Sequence, residues 1–252
     1  MKILNATQIR ELDAYTIAHE PIASVELMER AAETFCSWFV EKFPDQNVPL
    51  HIFCGTGNNG GDGLAVARML HYAFYEVTLY ICHLNPNQSA DFQKNIERLP
   101  KFEAITVIDM PEGSALPPLP PYGILIDALL GTGVSRPLEG YWAGFINYLS
   151  RYQGVKVAID LPSGLQADKT TIGTTFCVDY TFSFELPKLA FMLPENEARV
   201  GAWTFASIGL DRDFIERAET PFHYLTLNDL TGLLKLRARH AHKGQFGHTL
   251  LI

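Results

Sequence analysis

Seven short apolar runs recur along the chain, separated by polar or amphipathic stretches: His51–Cys54, Val77–His83, Ala104–Asp109, Gly123–Leu130, Val155–Asp160, Asp179–Phe184 and Ala202–Gly209. Strands this short and this continuously hydrophobic are expected where both faces of a parallel sheet are covered. Intervening segments such as Gln88–Leu99 and Gly140–Tyr152 are long enough for crossover helices. The first 45 residues read as two helices. Ile9, Leu12 and Ile17 form a loose stripe on the first. Ser24 is a candidate N-cap for the second, with Leu27, Met28, Ala31, Phe35, Trp38 and Phe39 along one face. The pattern predicts a Rossmann-like three-layer αβα sandwich, with a mostly parallel central sheet and two N-terminal helices. Right-handed crossovers would then align the strand C-termini along one edge, where such folds bind ligands.

That edge should carry the chemistry, and Gly55–Gly63, Gly-Thr-Gly-Asn-Asn-Gly-Gly-Asp-Gly, is its most distinctive segment. It lies between an apolar run and Leu64–Leu70, whose residues suit a buried helix. Strand, glycine turn and helix together point backbone N–H groups and a helix N-terminus at an anion. Five glycines in nine positions are expected to permit positive φ and close backbone approach to a ligand. A second Gly-x-Gly turn follows Asp127, running through Gly131, Thr132, Gly133, Val134, Ser135, Arg136 and Pro137. At a third strand end Asp160 precedes Leu161-Pro162-Ser163-Gly164. Asp127 alone reads equally well as a structural turn residue. Asp160 stands out because Pro162 and Gly164 constrain the backbone beside it.

Several chemistries do not fit these residues. No Gly-Lys-Ser/Thr closes the glycine loop, so it is not a P-loop. No acidic residue follows at the dinucleotide-fingerprint distance, so hydride transfer finds no support. Neither a nucleophile–base pair nor a zinc-like ligand spacing is evident. What remains is a nucleotide-like anion held by amides, with carboxylates available for proton transfer. The net charge of −8 argues against a nucleic-acid partner. The four cysteines lack CxxC spacing and read as reduced core residues. With neither a leader nor a membrane-length apolar run, the expected location is cytoplasmic.

Together these motifs resemble one family, the YjeF N-terminal domain of the NAD(P)H-hydrate epimerases. The carrying residues are Leu27–Ala31, Gly55–Arg68, Asp127–Gly133 and Asp160–Leu165, with Phe184–Lys188 and Ile208–Leu210 in support. The resemblance implies inversion at ring carbon 6 of hydrated NADH or NADPH, a damaged cofactor, with Asp160 as acid/base. It implies substrate contacts from Asn58, Asn59, Gly60, Gly61 and Asp62, from Gly131 to Pro137, and from Tyr141 and Asp160. It also implies a potassium ion held by Asn59, Asp127 and Ser163. Lys188 is left between neutralising a phosphate, assisting the reaction and standing solvated. A catalytically silent nucleotide-binding or interaction module of the same fold is the alternative. The apolar N-terminal helices suggest a homodimer or higher homo-oligomer.

Residues 1–222 are therefore assigned to the epimerase-like domain and 223–252 to a linker and the start of another. Thr226–Leu236 reads as a helix, Arg237–Gly247 as a basic loop and His248–Ile252 as a strand. This tail resembles the opening of an ADP- or ATP-dependent hydrate dehydratase domain, and a chain ending inside a strand is expected to be a fragment of such a fusion.

Overall fold

A computed structural model describes residues 1–99, 105–119, 121–231 and 240. The expected strands form as β1 (Leu50–Cys54), β2 (Val77–Cys82), β3 (Thr106–Met110), β4 (Ile124–Ala128), β5 (Val155–Ile159), β6 (Tyr180–Phe184) and β7 (Ala202–Ala206). They make one seven-stranded sheet in the order β3-β2-β1-β4-β5-β6-β7, and each of its pairings is parallel.

The apolar runs are continuous because both pleat faces are buried. Leu50, Ile52, Cys54, Ile126 and Ile159 point into a core shared with α2 (Ser24–Lys42), α3 (Asn58–Tyr72) and α4 (Ala90–Arg98). Phe53, Leu125 and Ala158 occupy the other face, against Trp142, Phe145, Ile146 and Leu149 of α5 (Gly140–Ser150). On α2, Leu27, Met28, Ala31, Phe35 and Phe39 are buried within the chain, with Trp38 packed beside them. The face considered for a dimer contact is used internally.

Details at the helix ends differ from expectation. Ala23, not Ser24, is the N-cap of α2, and its N–H donates to Glu26 Oε2 at 2.7 Å. The Ser24 hydroxyl instead donates to Asp91 on α4. α1 (Ala6–His19) starts at Asn5, whose side chain accepts from Thr7 N and Gln8 N. Leu12 of α1 packs with Leu27, Leu186, Ile208 and Leu210, so α1 is tied to the loops leaving β6 and β7. His223 bridges Lys2, and Tyr224 N donates to Met1 O at 2.8 Å. Of the expected C-terminal helix, the turn-length segment Leu227–Thr231 is described. Its continuation to Leu236, the basic loop and the final strand lie outside the described residues. No helix among the described residues is long and apolar enough to cross a membrane.

The sheet order positions the site. From β1 the chain runs outward through β2 and β3, then returns to place β4 on the other side of β1. The turns after β1 and β4 therefore flank the point where the winding reverses, the usual ligand crevice of such sheets.

Candidate active site

The glycine loop occupies that crevice. Cys54 ends β1, and Asn58 begins α3 behind Gly57, its N-cap, with no side-chain cap. First-turn N–H groups have no intrahelical partners, so they and the positive end of the helix dipole are available to an anion. None of the glycines between Gly55 and Gly63 takes a positive φ, contrary to expectation. Gly55, Gly60, Gly61 and Gly63 are small because neighbouring backbone and side chains are close. A Cβ on Gly55 would lie 2.0 Å from Leu129 O, one on Gly60 1.7 Å from Gly55 O, and one on Gly63 2.5 Å from Cys54 Sγ. The tight packing holds the loop against β4 and its following turn.

Beneath this surface Asp127 joins two loops. It is fully buried on β4, and its Oδ1 accepts from Ser163 Oγ at 2.6 Å and Leu129 N at 3.1 Å. Oδ2 accepts from Ser163 N at 2.7 Å. Ser163 Oγ in turn accepts from Leu130 N at 2.8 Å. Burial pushes the Asp127 carboxyl up to about 6, against the pull of the Ser163 and Leu129 donors. No cationic side chain pairs with it among the described residues. Asn59 is also buried, and its Nδ2 has no hydrogen-bond partner.

Asp160 follows β5 in the left-handed region, with φ of 62°, and Glu185 follows β6 with φ of 57°. Non-glycine residues pay about 1–3 kcal/mol for such backbone, which persists where neighbours enforce it and concentrates at functional sites. Here the neighbours are visible. Asp160 Oδ1 accepts from Lys188 Nζ at 2.8 Å, Ser183 Oγ at 3.2 Å and Phe184 N at 3.2 Å, while Oδ2 takes none of these. Lys188 is only 1 % exposed and also donates to Ser183 Oγ and the Phe184 and Leu186 carbonyls. It is not solvated. Glu185 Oε2 accepts from Ile208 N and Leu210 N, which fixes the loop after β7.

These elements enclose one cavity of about 1090 Å³. Asn58, Asn59, Asp62, Gly131 through Pro137 and Asp160 all line it, so the structure brings most of the expected substrate-contacting positions together. Gly60 and Gly61 are not among the lining residues, and Asp127 and Ser163 lie behind the wall. Nor does Tyr141 line the cavity: its hydroxyl donates to Ser114 O at 2.9 Å, and its neighbour Trp142 faces the space instead.

Sequence reasoning gave Lys188 no settled role and overlooked Asp13 and Glu185. Lys188 is the lone charge in the run Leu186–Phe191, a signal of burial. Asp13 on α1 lines the cavity, and its carboxyl rises to about 6 through burial first and Asp160 next, with Lys188 opposing and Glu185 adding. Nothing in its sequence context marks it. Asp62 is pushed well above the usual carboxylate range, again by burial first and then by Asp160, Asp13 and Asp91. The cavity therefore presents an uncapped helix N-terminus, a glycine turn with Arg136, and two carboxyls, Asp13 and Asp62, that burial raises above the usual carboxylate range.

Residues 24–190 match the family model described as YjeF-related protein N-terminus. A protein of Limosilactobacillus reuteri (strain DSM 20016) named NAD(P)H-hydrate epimerase is 34 % identical over 199 residues, covering 79 % of this chain and 90 % of the relative. The bifunctional NAD(P)H-hydrate repair enzyme Nnr of Coxiella burnetii is 30 % identical over 249 residues, 97 % of this chain. The match spans 49 % of that longer relative. The crystal structure of yeast ynu0, YNL200c, superposes with a TM-score of 0.69 at 21 % identity, covering 91 % of this chain and 98 % of that one, a likeness of fold.

Proposed function

This chain belongs to the family of YjeF-related protein N-termini, and from that premise we propose that it epimerises hydrated NADH or NADPH at ring carbon 6. The observation that carries the reading is the convergence of the α3 N-terminus, the Gly131–Pro137 turn and Asp160 on one cavity of about 1090 Å³. That volume is at the upper end of small-molecule pockets, as a dinucleotide requires. The α3 amides and Arg136 suit its phosphates. Asp160 then faces the hydrated ring, held in one orientation by Lys188, Ser183 and the Phe184 N–H.

Inversion requires a proton to reach or leave an oxygen on carbon 6, and Asp160 is placed to move it with the oxygen left outside its triple hydrogen bond. Asn58 and Asp62 on the first turn of α3 orient the substrate beside it. Trp142 supplies an apolar surface in the same cavity.

The residues assigned to potassium fit such an ion. Asp127 is a buried carboxylate without a cationic partner, and Oδ2, with one of its two lone pairs occupied, has room for another contact. The Asn59 amide is buried with an unpaired end, and turning it about its last bond presents oxygen there. Ser163 adds a hydroxyl. Oxygen donors carrying one negative charge suit a hard monovalent cation. When bound, the ion would offset the Asp127 charge and hold the three loops together. To test the function, purified chain is mixed with either resolved hydrate epimer and their ratio followed chromatographically, with potassium present or replaced. Equilibration from both sides is expected, and a static ratio in all conditions contradicts the reading.

A further inference from the structure

Inversion of a ring carbon places the reacting oxygen on one face before the reaction and on the opposite face after it. Asp160 is pinned: three donors hold its Oδ1. A carboxyl so fixed reaches one face of a bound ring. The cavity has another carboxyl, Asp13, which enters from α1 rather than from the sheet edge. α1 is packed over the loops that leave β6 and β7, so Asp13 reaches the cavity from an element separate from the strand end that carries Asp160. Asp13 is half-buried, yet its carboxyl makes no hydrogen bond or ion pair with any described residue. The Lys188 ammonium is engaged by Asp160, Ser183 and two carbonyls and does not bond to it.

We propose that Asp13 is a second catalytic acid–base residue, serving the face of the hydrated nicotinamide ring opposite to Asp160. The inference rests on the epimerase reading of the site. In one direction the carboxylic acid on the first face gives its proton to the carbon-6 hydroxyl. The C6–O bond breaks, its electron pair leaves with water, and the ring-nitrogen lone pair forms an N1=C6 double bond. A water molecule then adds from the other face. Its oxygen forms the new C6–O bond, the double-bond pair returns to nitrogen, and the carboxylate there takes the surplus proton. One water is lost and one gained, one carboxyl is deprotonated and the other protonated, and exchange with solvent resets the pair.

The charged groups facing Asp13 are consistent with proton exchange near neutrality. Asp62, Asp91, Glu139, Asp160 and Glu185 line the same cavity as acids, with Arg10, Arg136 and Lys188 as cations. A general acid or base works best when its pKa is near the working pH, and Asp13 lies at about 6.

The test follows both inversion and oxygen exchange in ¹⁸O-labelled water, using each epimer with wild-type chain, Asp13→Asn and Asp160→Asn. Wild type should incorporate one labelled oxygen per inversion. Asp13→Asn should lose inversion by on the order of 100-fold or more, with KM changed only a few-fold and the circular dichroism spectrum retained. It should still exchange label into one epimer without inverting it, and Asp160→Asn should do so only with the other epimer. An Asp13→Asn chain that inverts at the wild-type rate, or that loses exchange of both epimers alike, overturns the proposal. Wild-type chain that inverts neither epimer overturns the epimerase reading itself, so the two failures are distinguishable.

Discussion

Replacing Lys188 with Met should expose how the site holds Asp160. The ammonium is 1 % exposed and donates to Asp160 Oδ1 at 2.8 Å, to Ser183 Oγ at 2.8 Å and to two carbonyls. Methionine fills much of the same volume, so the loss is electrostatic rather than a cavity. Removing one partner of a buried ion pair costs about 3–5 kcal/mol. The lower end applies here, because the Asp160 side chain is 15 % exposed and keeps its Ser183 and Phe184 donors. About 3 kcal/mol corresponds to a Tm lowered by about 6–12 °C in a domain of this size. Denaturant and thermal unfolding of wild type, Lys188→Met, Asp160→Asn and the double variant close the cycle. The double variant should recover much of the single-variant loss, since neutral Asn no longer needs the ammonium. A loss below about 1 kcal/mol in Lys188→Met, or a double variant whose losses simply add, would show that the pair does not hold Asp160.

Three further outcomes follow from the same geometry. Gly60→Ala should abolish hydrate binding and cost several kcal/mol in chemical unfolding, because its Cβ would stand 1.7 Å from Gly55 O, whereas Gly57→Ala, with open space around the new methyl, should fold normally. Asp13 has a folded pKa of about 6 against an ordinary 3.8, so wild type loses stability as pH rises from about 4 to 6 and then levels off. Asp13→Asn should show a shallower slope, the raised Asp62 and Asp127 carboxyls keeping the rest, and be more stable than wild type by about 1–3 kcal/mol above pH 7, equalling it near pH 4, in unfolding titrations across pH. Potassium in place of an equal concentration of choline should stabilise wild type by about 1–2 kcal/mol when ten- to thirty-fold above its Kd, and leave Asp127→Ala unshifted by differential scanning fluorimetry.

Much of this molecule was legible in the chain. β1, β4 and β5 announce themselves because helices cover both faces and nearly every residue is apolar. The glycine loop was recognisable as a site, though for a reason the structure changes. Its glycines are there for close approach to Leu129, Gly55 and Cys54, and the left-handed backbone belongs to Asp160 and Glu185 instead. Ser24 looked like a cap, yet a partner on α4 takes its hydroxyl and Glu26 caps the helix. Strand order was not readable, because parallel strands of similar composition carry no label for their neighbours. The Lys188–Asp160 pair and the arrival of Asp13 depend on contacts between distant segments, for which local periodicity has no signal.

The proposed role of Asp160 is to move the proton at carbon 6 of a hydrated nicotinamide nucleotide bound in the cavity. Its most direct test is the approach of each resolved hydrate epimer to equilibrium with wild-type and Asp160→Asn chains, alongside binding measured by calorimetry. Wild type should equilibrate both epimers, and the variant should bind them while inversion falls by at least about 100-fold. Unchanged inversion by Asp160→Asn would contradict the account.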